Sequence, residues 1–435
     1  MKGLRIRFRG SIADLSAVDR AALLDRTSTS SDDIVRTTTE AIIDVVRRDG
    51  DSALISLARE YDKARLKSLE VPRDVWRDAL QALDPAVRAA MERAATNIRA
   101  VHAASLPQTV ETSPEPGIVV GRRPDPLTRV GVYAPGGRAA YPSSVLMGVI
   151  PARVAGVSEV IICSPPAPNG LPAAVTLAAA ELSGADRVFA VGGAGAIAAM
   201  AYGTATIPRV DRIVGPGNAY VTQAKILVAN AVAIDAPAGP SELVVIADEQ
   251  ANPTRVAIEL LAQAEHSPDA MVVLLAVGDT IANRVVAELE KLLPVQERRM
   301  IIDQALAACA AVLTAPTTAA ALAFSNELAP EHLLLATTDA ELLLGSVRST
   351  GTVFVGESSS VAFGDYMTGA NHVLPTVGLA RSYSGLSTLD FVRWTTYQRV
   401  DRDAAARLSA DVSSFADAEQ LPAHAAAARA WRRQA

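Results

Sequence analysis

Cysteine is nearly missing from this chain, with only Cys163 and Cys309 among 435 residues, both in apolar runs (VIICSPP and LAACAAV) and without CxxC spacing. That excludes a disulfide framework and a thiolate metal cluster, and reads both thiols as core fillers. Aromatic residues are scarce too, 4% of the chain against 50% hydrophobic residues. The core must then be built from Ala, Val and Leu, the texture of an α/β enzyme rather than a β-sandwich or a disordered chain. Positive charge is not in excess: the formal net charge is -6 and Lys and Arg are scattered. A nucleic-acid footprint or an anionic membrane surface is excluded on that ground, and small-molecule chemistry is favoured. No run of about 18 uncharged apolar residues occurs, and MKGLRIRFRG leads directly into polar sequence, so neither a membrane span nor a signal peptide is read and a cytoplasmic location is expected. The motifs HExxH, GxSxG and GxxxxGK[ST] are all absent, which removes the main support for metzincin proteolysis, α/β-hydrolase chemistry and P-loop phosphate transfer. Dehydrogenation survives that elimination best.

What is present is an alternation. Up to about residue 125 the text is charged and helical in period, as in DDIVRTTTEAIIDVVRRDG. From Arg129 apolar strands alternate with Ala-rich helices (VGVYAP, SEVIIC, RVFAV, RIVG), the signature of parallel βαβ units. A second alternating stretch follows the Gly/Pro break IDAPAGPSE, and after about Gly385 the chain is helical and charged again. The division expected is a helical extension over 1–28, a larger discontinuous α/β domain over 29–132 and 240–386, a Rossmann-like domain over 133–239, and a helical tail over 387–435.

Several short segments carry chemistry-bearing residues. GGAGAIAAMAYG places Gly193, Gly195 and Ala198 as G-x-G-x-x-A at a strand-to-helix turn, where a pyrophosphate meets a helix N-terminus, although a plain tight turn reads the same. No acidic residue closes the following strand at the usual separation. Two more Gly-rich strand exits, YAPGGR and GPGNAY, fall in the same module. Histidine numbers five, and four of these lie in distinctive segments. Gln263 and His266 stand three apart near a helix end, on one face, as a shared cation requires; a lone His at the helix dipole's negative end is the other reading. Asp365 and His372 flank a Gly-containing turn and either converge on a site or form an Asx turn. Glu331 and His332 put a carboxylate and an imidazole where Pro330 ends a helix and a short strand begins, a base pair for proton transfer or a surface polar pair.

Taken in order, VGVYAPGG, VGPGNAYV, DAPAGPSE, LLAQAEHSP, NELAPEHL, GDYMTGANHVLPT and EQLPAH resemble the histidinol dehydrogenase family over roughly residues 30 to 425. The resemblance implies a zinc ion on Gln263, His266, Asp365 and His424. It implies His332 as general base, with Glu331 activating water in the second half-reaction. Substrate contacts would come from Ser241, His372 and Glu419, together with Gln263, His266, His332, Asp365 and His424. NAD would meet Tyr133, Asn218 and position 195, where relatives usually read GGAQAI and this chain has Gly195. The implied fold is two α/β domains of incomplete Rossmann-like topology in a homodimer whose tails exchange, so that His424 and Glu419 act in trans. The implied reaction oxidises L-histidinol to L-histidine through L-histidinal in two hydride transfers, the last steps of histidine biosynthesis. The alternative is a paralogue that oxidises another small polar alcohol, such as a sulfopropanediol, on the same frame.

Overall fold

The computed structural model describes residues 4–26, 33–136 and 140–432. It is a mixed α/β architecture carrying two parallel sheets. Residues 137–139 of the YAPGGR loop lie outside the described residues.

The first parallel sheet has five strands in the order Arg187–Ala190, Glu159–Ser164, Arg129–Tyr133, Arg212–Val214, Ala233–Ile234. The chain starts in the middle, steps twice to one side, then returns to the other, so the topological switch point lies between Arg129–Tyr133 and Arg212–Val214. A crevice opens at the carboxyl ends of strands at such a point. The strands are continuous apolar runs because helices cover both faces. Helix Pro142–Ala155 is buried over most of its length, which explains why it shows no polar stripe.

The second parallel sheet has six strands, Phe8–Ser11, Ala311–Ala315, Met271–Val277, Glu242–Ala247, His332–Ala336 and Thr352–Val355. Leaving aside the edge strand Phe8–Ser11, it repeats the same order, with its switch point between Glu242–Ala247 and His332–Ala336. Linker 235–241 joins the last strand of one sheet to the first of the other. That connection runs from the carboxyl end of the last strand of one sheet to the amino end of the first strand of the other.

Three expectations of local structure are corrected. The segment 1–28, read as helical, contributes strand Phe8–Ser11, which pairs in parallel with Ala311–Ala315; four residues are too few to show a period. The tail 387–435 contains strand Val392–Val400, antiparallel to Ile118–Pro126. Its half-polar, edge-type residues pass for a charged helix when read alone. The helices of 33–104, grouped by sequence with the 240–386 unit, instead bury their apolar faces on the five-stranded sheet: Ile43, Val46 and Leu54 pack with Phe189 and Ile197, and Trp76 and Ile98 with Val145 and Val149.

Candidate active site

Glu242 opens one strand and His332 opens its parallel neighbour, with His332 opposite Leu243. From that register the site assembles itself. The Glu242 N–H donates to Glu331 Oε2 at 2.8 Å, and the Glu331 N–H donates back to Glu242 Oε2 at 3.3 Å. The Glu242 carbonyl accepts from His332 Nδ1 at 2.9 Å. A carbonyl can only accept, so the proton of the neutral ring sits on Nδ1 and the lone pair on Nε2. That Nε2 is buried, has no hydrogen-bond partner among the described residues and stands 3.8 Å from Asp365 Oδ1. Burial pulls the His332 pKa down, but Glu331, 3.4 Å from Nδ1, together with Asp365 and the Glu242 carbonyl outweighs it and raises the value to about 9.

His372 shifts the other way. Burial dominates and lowers its pKa, although Asp365 opposes the shift; its Nδ1 donates to the Asp365 carbonyl at 2.9 Å. The loop that carries it is pinned from the other half of the molecule. Asn371 Nδ2 donates to the Met147 carbonyl at 2.8 Å, and Asn97 Nδ2 to that of Met367 at 2.7 Å. Gly369 lies at φ 92°, and a Cβ there would come within 2.5 Å of the Asn97 carbonyl oxygen, so only glycine fits.

Asp365 sits on helix Val361–Tyr366, whose Val361 N–H donates to Glu259 Oε2 of helix Pro253–Ala264 at 3.2 Å. Burial, then Asp365 and then Glu265 raise the Tyr366 pKa. Gln263 is buried on helix Pro253–Ala264 and its Nε2 has no partner among the described residues. His266 follows in the exposed turn, its N–H on the Gln263 carbonyl at 3.3 Å. A buried carboxamide, whose oxygen can ligate, an imidazole and a carboxylate are donor types that suit a divalent cation such as zinc, and the negative dipole end of helix Pro253–Ala264 favours one. Among the described residues no three of His, Cys, Asp and Glu gather as a metal cluster; the remaining expected ligand, His424, is elsewhere. It is exposed on helix Pro422–Arg429, and Glu419 is exposed just before it. Among the described residues no hydrogen bond or ion pair joins either side chain to the Glu331–His332 centre.

Ser241 immediately precedes Glu242, and its carbonyl accepts from the Met271 N–H at 2.9 Å. The residues expected at the cofactor lie together at the other sheet. Tyr133, Gly195 and Asn218 line a cleft of about 840 Å³ at the switch point of the five-stranded sheet, roofed by helices Asp33–Asp49 and Asp51–Tyr61. Tyr133 is buried and its hydroxyl accepts from the Gly193 N–H at 3.1 Å. Asn218 caps helix Ala219–Val228, its Oδ1 accepting from Tyr220 and Val221 N–H groups. Gly195 is buried; a Cβ there would stand 3.1 Å from Leu57 and 3.3 Å from Leu54.

Sequence reasoning missed two residues. Arg26 is half-buried and pairs with Glu242 Oε1 at 2.7 Å, and nothing in its local sequence announces it. Glu242 is pushed up to about 7 by burial, against Arg26 and reinforced by Glu331. The available signal was a lone carboxylate opening the otherwise apolar strand ELVVIA. Below the cleft, Lys225 and Asp235 form a buried ion pair, and both bond to the Gly215 backbone. Cys163 is buried in a strand beside Tyr133, where desolvation pushes its thiol well up, and Cys309 is half-buried.

A family model described as histidinol dehydrogenase matches residues 24–432. Among similar proteins are the histidinol dehydrogenases of Methanosarcina barkeri, 44% identical with 96% of each chain covered, and of Halobacterium salinarum, 48% identical with 96% of this chain and 97% of that one covered. The crystal structure of histidinol dehydrogenase from Elizabethkingia anophelis superposes with a TM-score of 0.94 at 35% identity, covering 99% of both chains.

Proposed function

The chain belongs to the histidinol dehydrogenase family, and from that membership we propose how its residues divide the NAD-dependent oxidation of L-histidinol to L-histidine. The single observation that carries the reading is His332 Nε2, buried, unpartnered among the described residues and facing Asp365, with its tautomer fixed by the Glu242 carbonyl. Nothing favours the alternative of a sulfopropanediol substrate, since the relatives are named for histidinol.

In the first half-reaction His332 Nε2 takes the hydroxyl proton while the carbinol hydride leaves to NAD, and Glu331 steadies the imidazolium. In the second, Glu331 takes a proton from water as it adds to the aldehyde carbonyl, and the protonated His332 returns its proton to the carbonyl oxygen, which leaves the hydrate and a neutral His332. The hydrate then gives a second hydride to a second NAD and a hydroxyl proton to His332, and the carboxylic acid so formed loses its last proton to solvent. Gln263, His266, Asp365 and, from the tail, His424 would hold zinc, which when bound supplies a Lewis-acid anchor for the substrate's imidazole and amino nitrogens. A ring held near 9 would be protonated at neutral pH; engaging Asp365 with a cation removes part of the field that raises it. Ser241, His372 and Glu419 offer polar and anionic partners to the amino alcohol. Tyr133, Asn218 and the Gly195 turn receive NAD at the switch-point cleft.

The tail completes the reading. Phe415, Leu421 and Trp431 are exposed beside Glu419 and His424, an apolar surface suited to a second copy of the chain. A homodimer with exchanged tails would bring His424 and Glu419 to the partner's site. NADH production from L-histidinol by zinc-loaded protein tests the whole: two NADH per L-histidine, lost on chelation and restored by zinc, supports it. Absence of turnover with zinc bound sinks it.

A further inference from the structure

The fingerprint in the 133–239 module lacks the acidic residue that ordinarily follows it and holds the adenosine ribose. We propose that Asp62, from the helical layer outside that module, takes this part and sets the preference for NAD over NADP. The inference rests on the reading of the switch-point cleft as the nucleotide site.

Asp62 lines the cleft together with Tyr61, Tyr133, Gly192, Gly193 and Tyr220. It is half-buried, and its carboxylate makes no hydrogen bond or ion pair among the described residues. Its position is electrostatically adverse. It is the C-cap of helix Asp51–Tyr61, where its N–H reaches the Ala58 carbonyl and where the dipole disfavours an anion. Desolvation alone, with no compensating partner, pushes its pKa up to about 6. A carboxylate that is desolvated, unpaired and set against a helix dipole costs stability, and such a cost is expected where a ligand supplies the missing donors. Two hydroxyls of a ribose are such donors, and a carboxylate accepts both at once. A 2′-phosphate brings no donor and adds negative charge beside Asp62.

The neighbours agree with an adenosine at this end. Tyr61 and Tyr220 are exposed at the cleft mouth, 59% and 38%, and their phenols are near enough to act on each other. Neither ring is stacked on the other, which leaves two aromatic faces for a purine. Among the described residues no Lys or Arg lines the cleft. The catalytic residues Glu331 and His332 lie on the six-stranded sheet, so the nicotinamide end points away from Asp62.

Calorimetric titration of zinc-loaded, full-length protein with NADH and with NADPH, alongside kcat and KM, tests the assignment. In Asp62→Ala, NADH binding is expected to weaken by about 10- to 100-fold, the range for loss of charge-assisted hydrogen bonds. NADPH binding is expected to hold or tighten, and kcat at saturating NAD and KM for L-histidinol to stay within about twofold. Asp62→Asn, which keeps the shape and removes the charge, should narrow the NADH/NADPH ratio in the same direction. An unchanged ratio in both variants overturns the proposal. Thr38→Trp, which narrows the cleft from the surface of helix Asp33–Asp49, separates the two layers of inference. If it weakens NADH while the Asp62 variants keep the ratio, only the role of Asp62 fails. If it leaves both nucleotides untouched, the cleft reading fails and Asp62 with it.

Discussion

At the scale of single residues, the site is governed by which buried polar atoms have partners. His332 has one ring nitrogen committed and one without a partner among the described residues, and that asymmetry is its function. His332→Gln removes the acceptor and is expected to lower kcat by about 10²- to 10⁴-fold, measured by steady-state NADH formation. Glu331→Gln should penalise the second oxidation more than the first, seen as aldehyde released in trapping assays. Replacing Cys163 and Cys309 together by Ala is expected to leave kcat within about twofold while lowering Tm through the Cys163 cavity; loss of aldehyde oxidation would refute the cysteine-free route. Asp62 gives a pH signature. Its folded pKa is raised from 3.8 to about 6, so the protein is favoured while Asp62 is protonated and loses that advantage as pH rises through about 6. Asp62→Asn should therefore be more stable than the parent at pH 7, by roughly 1 kcal/mol after solvent screening, and equal to it near pH 4.

At the scale of elements, loops are held by contacts that admit few substitutions. Gly215 lies at φ +115°, and a Cβ there would overlap the Tyr133 carbonyl oxygen, so Gly215→Ala must move either the GPGN turn or the central strand. A loss of about 2–4 kcal/mol in denaturant unfolding is expected, with weakened NADH binding. Glu242 joins three elements: its backbone orients Glu331 and His332, and its carboxylate holds Arg26 and the Val377 N–H. Glu242→Ala leaves the half-buried Arg26 guanidinium without its carboxylate and the Val377 N–H without its acceptor, and should cost about 3–5 kcal/mol. Should chemical denaturation show less than about 1 kcal/mol, the network has been misread.

At the scale of the whole molecule, the two halves repeat one topology yet use opposite edges. The five-stranded sheet offers its cleft at strand carboxyl ends, as the switch-point rule has it. The six-stranded sheet places Glu242 and His332 at strand amino ends. The arrangement demands a fixed inter-sheet geometry, which Asn371, Asn97 and Thr376 supply. The tail is the remaining piece. If His424 acts in trans, co-refolding His332→Ala with His424→Ala restores turnover through mixed dimers that contain one intact site, up to about a quarter of the parent rate if strands mix at random. Without restoration, tail exchange is refuted.

The sequence by itself determined the parallel α/β alternation and the Gly-rich strand exits, and it singled out Glu331–His332, Gln263–His266 and Asp365–His372 as candidates, because each depends on spacing within one element or one turn. No transmembrane-length apolar helix occurs among the described residues, in line with the lack of apolar runs. Short edge strands such as Phe8–Ser11 were illegible, since four residues show no period and their pairing is decided by a strand 300 residues away. The packing of helices 33–104 was equally hidden, because an amphipathic face declares that it is buried but not against what. Arg26, Glu242 and Asp62 became meaningful only in three dimensions. Burial, the loss of water and the partners supplied or withheld by distant chain decide what a charged side chain does, and local sequence encodes none of these.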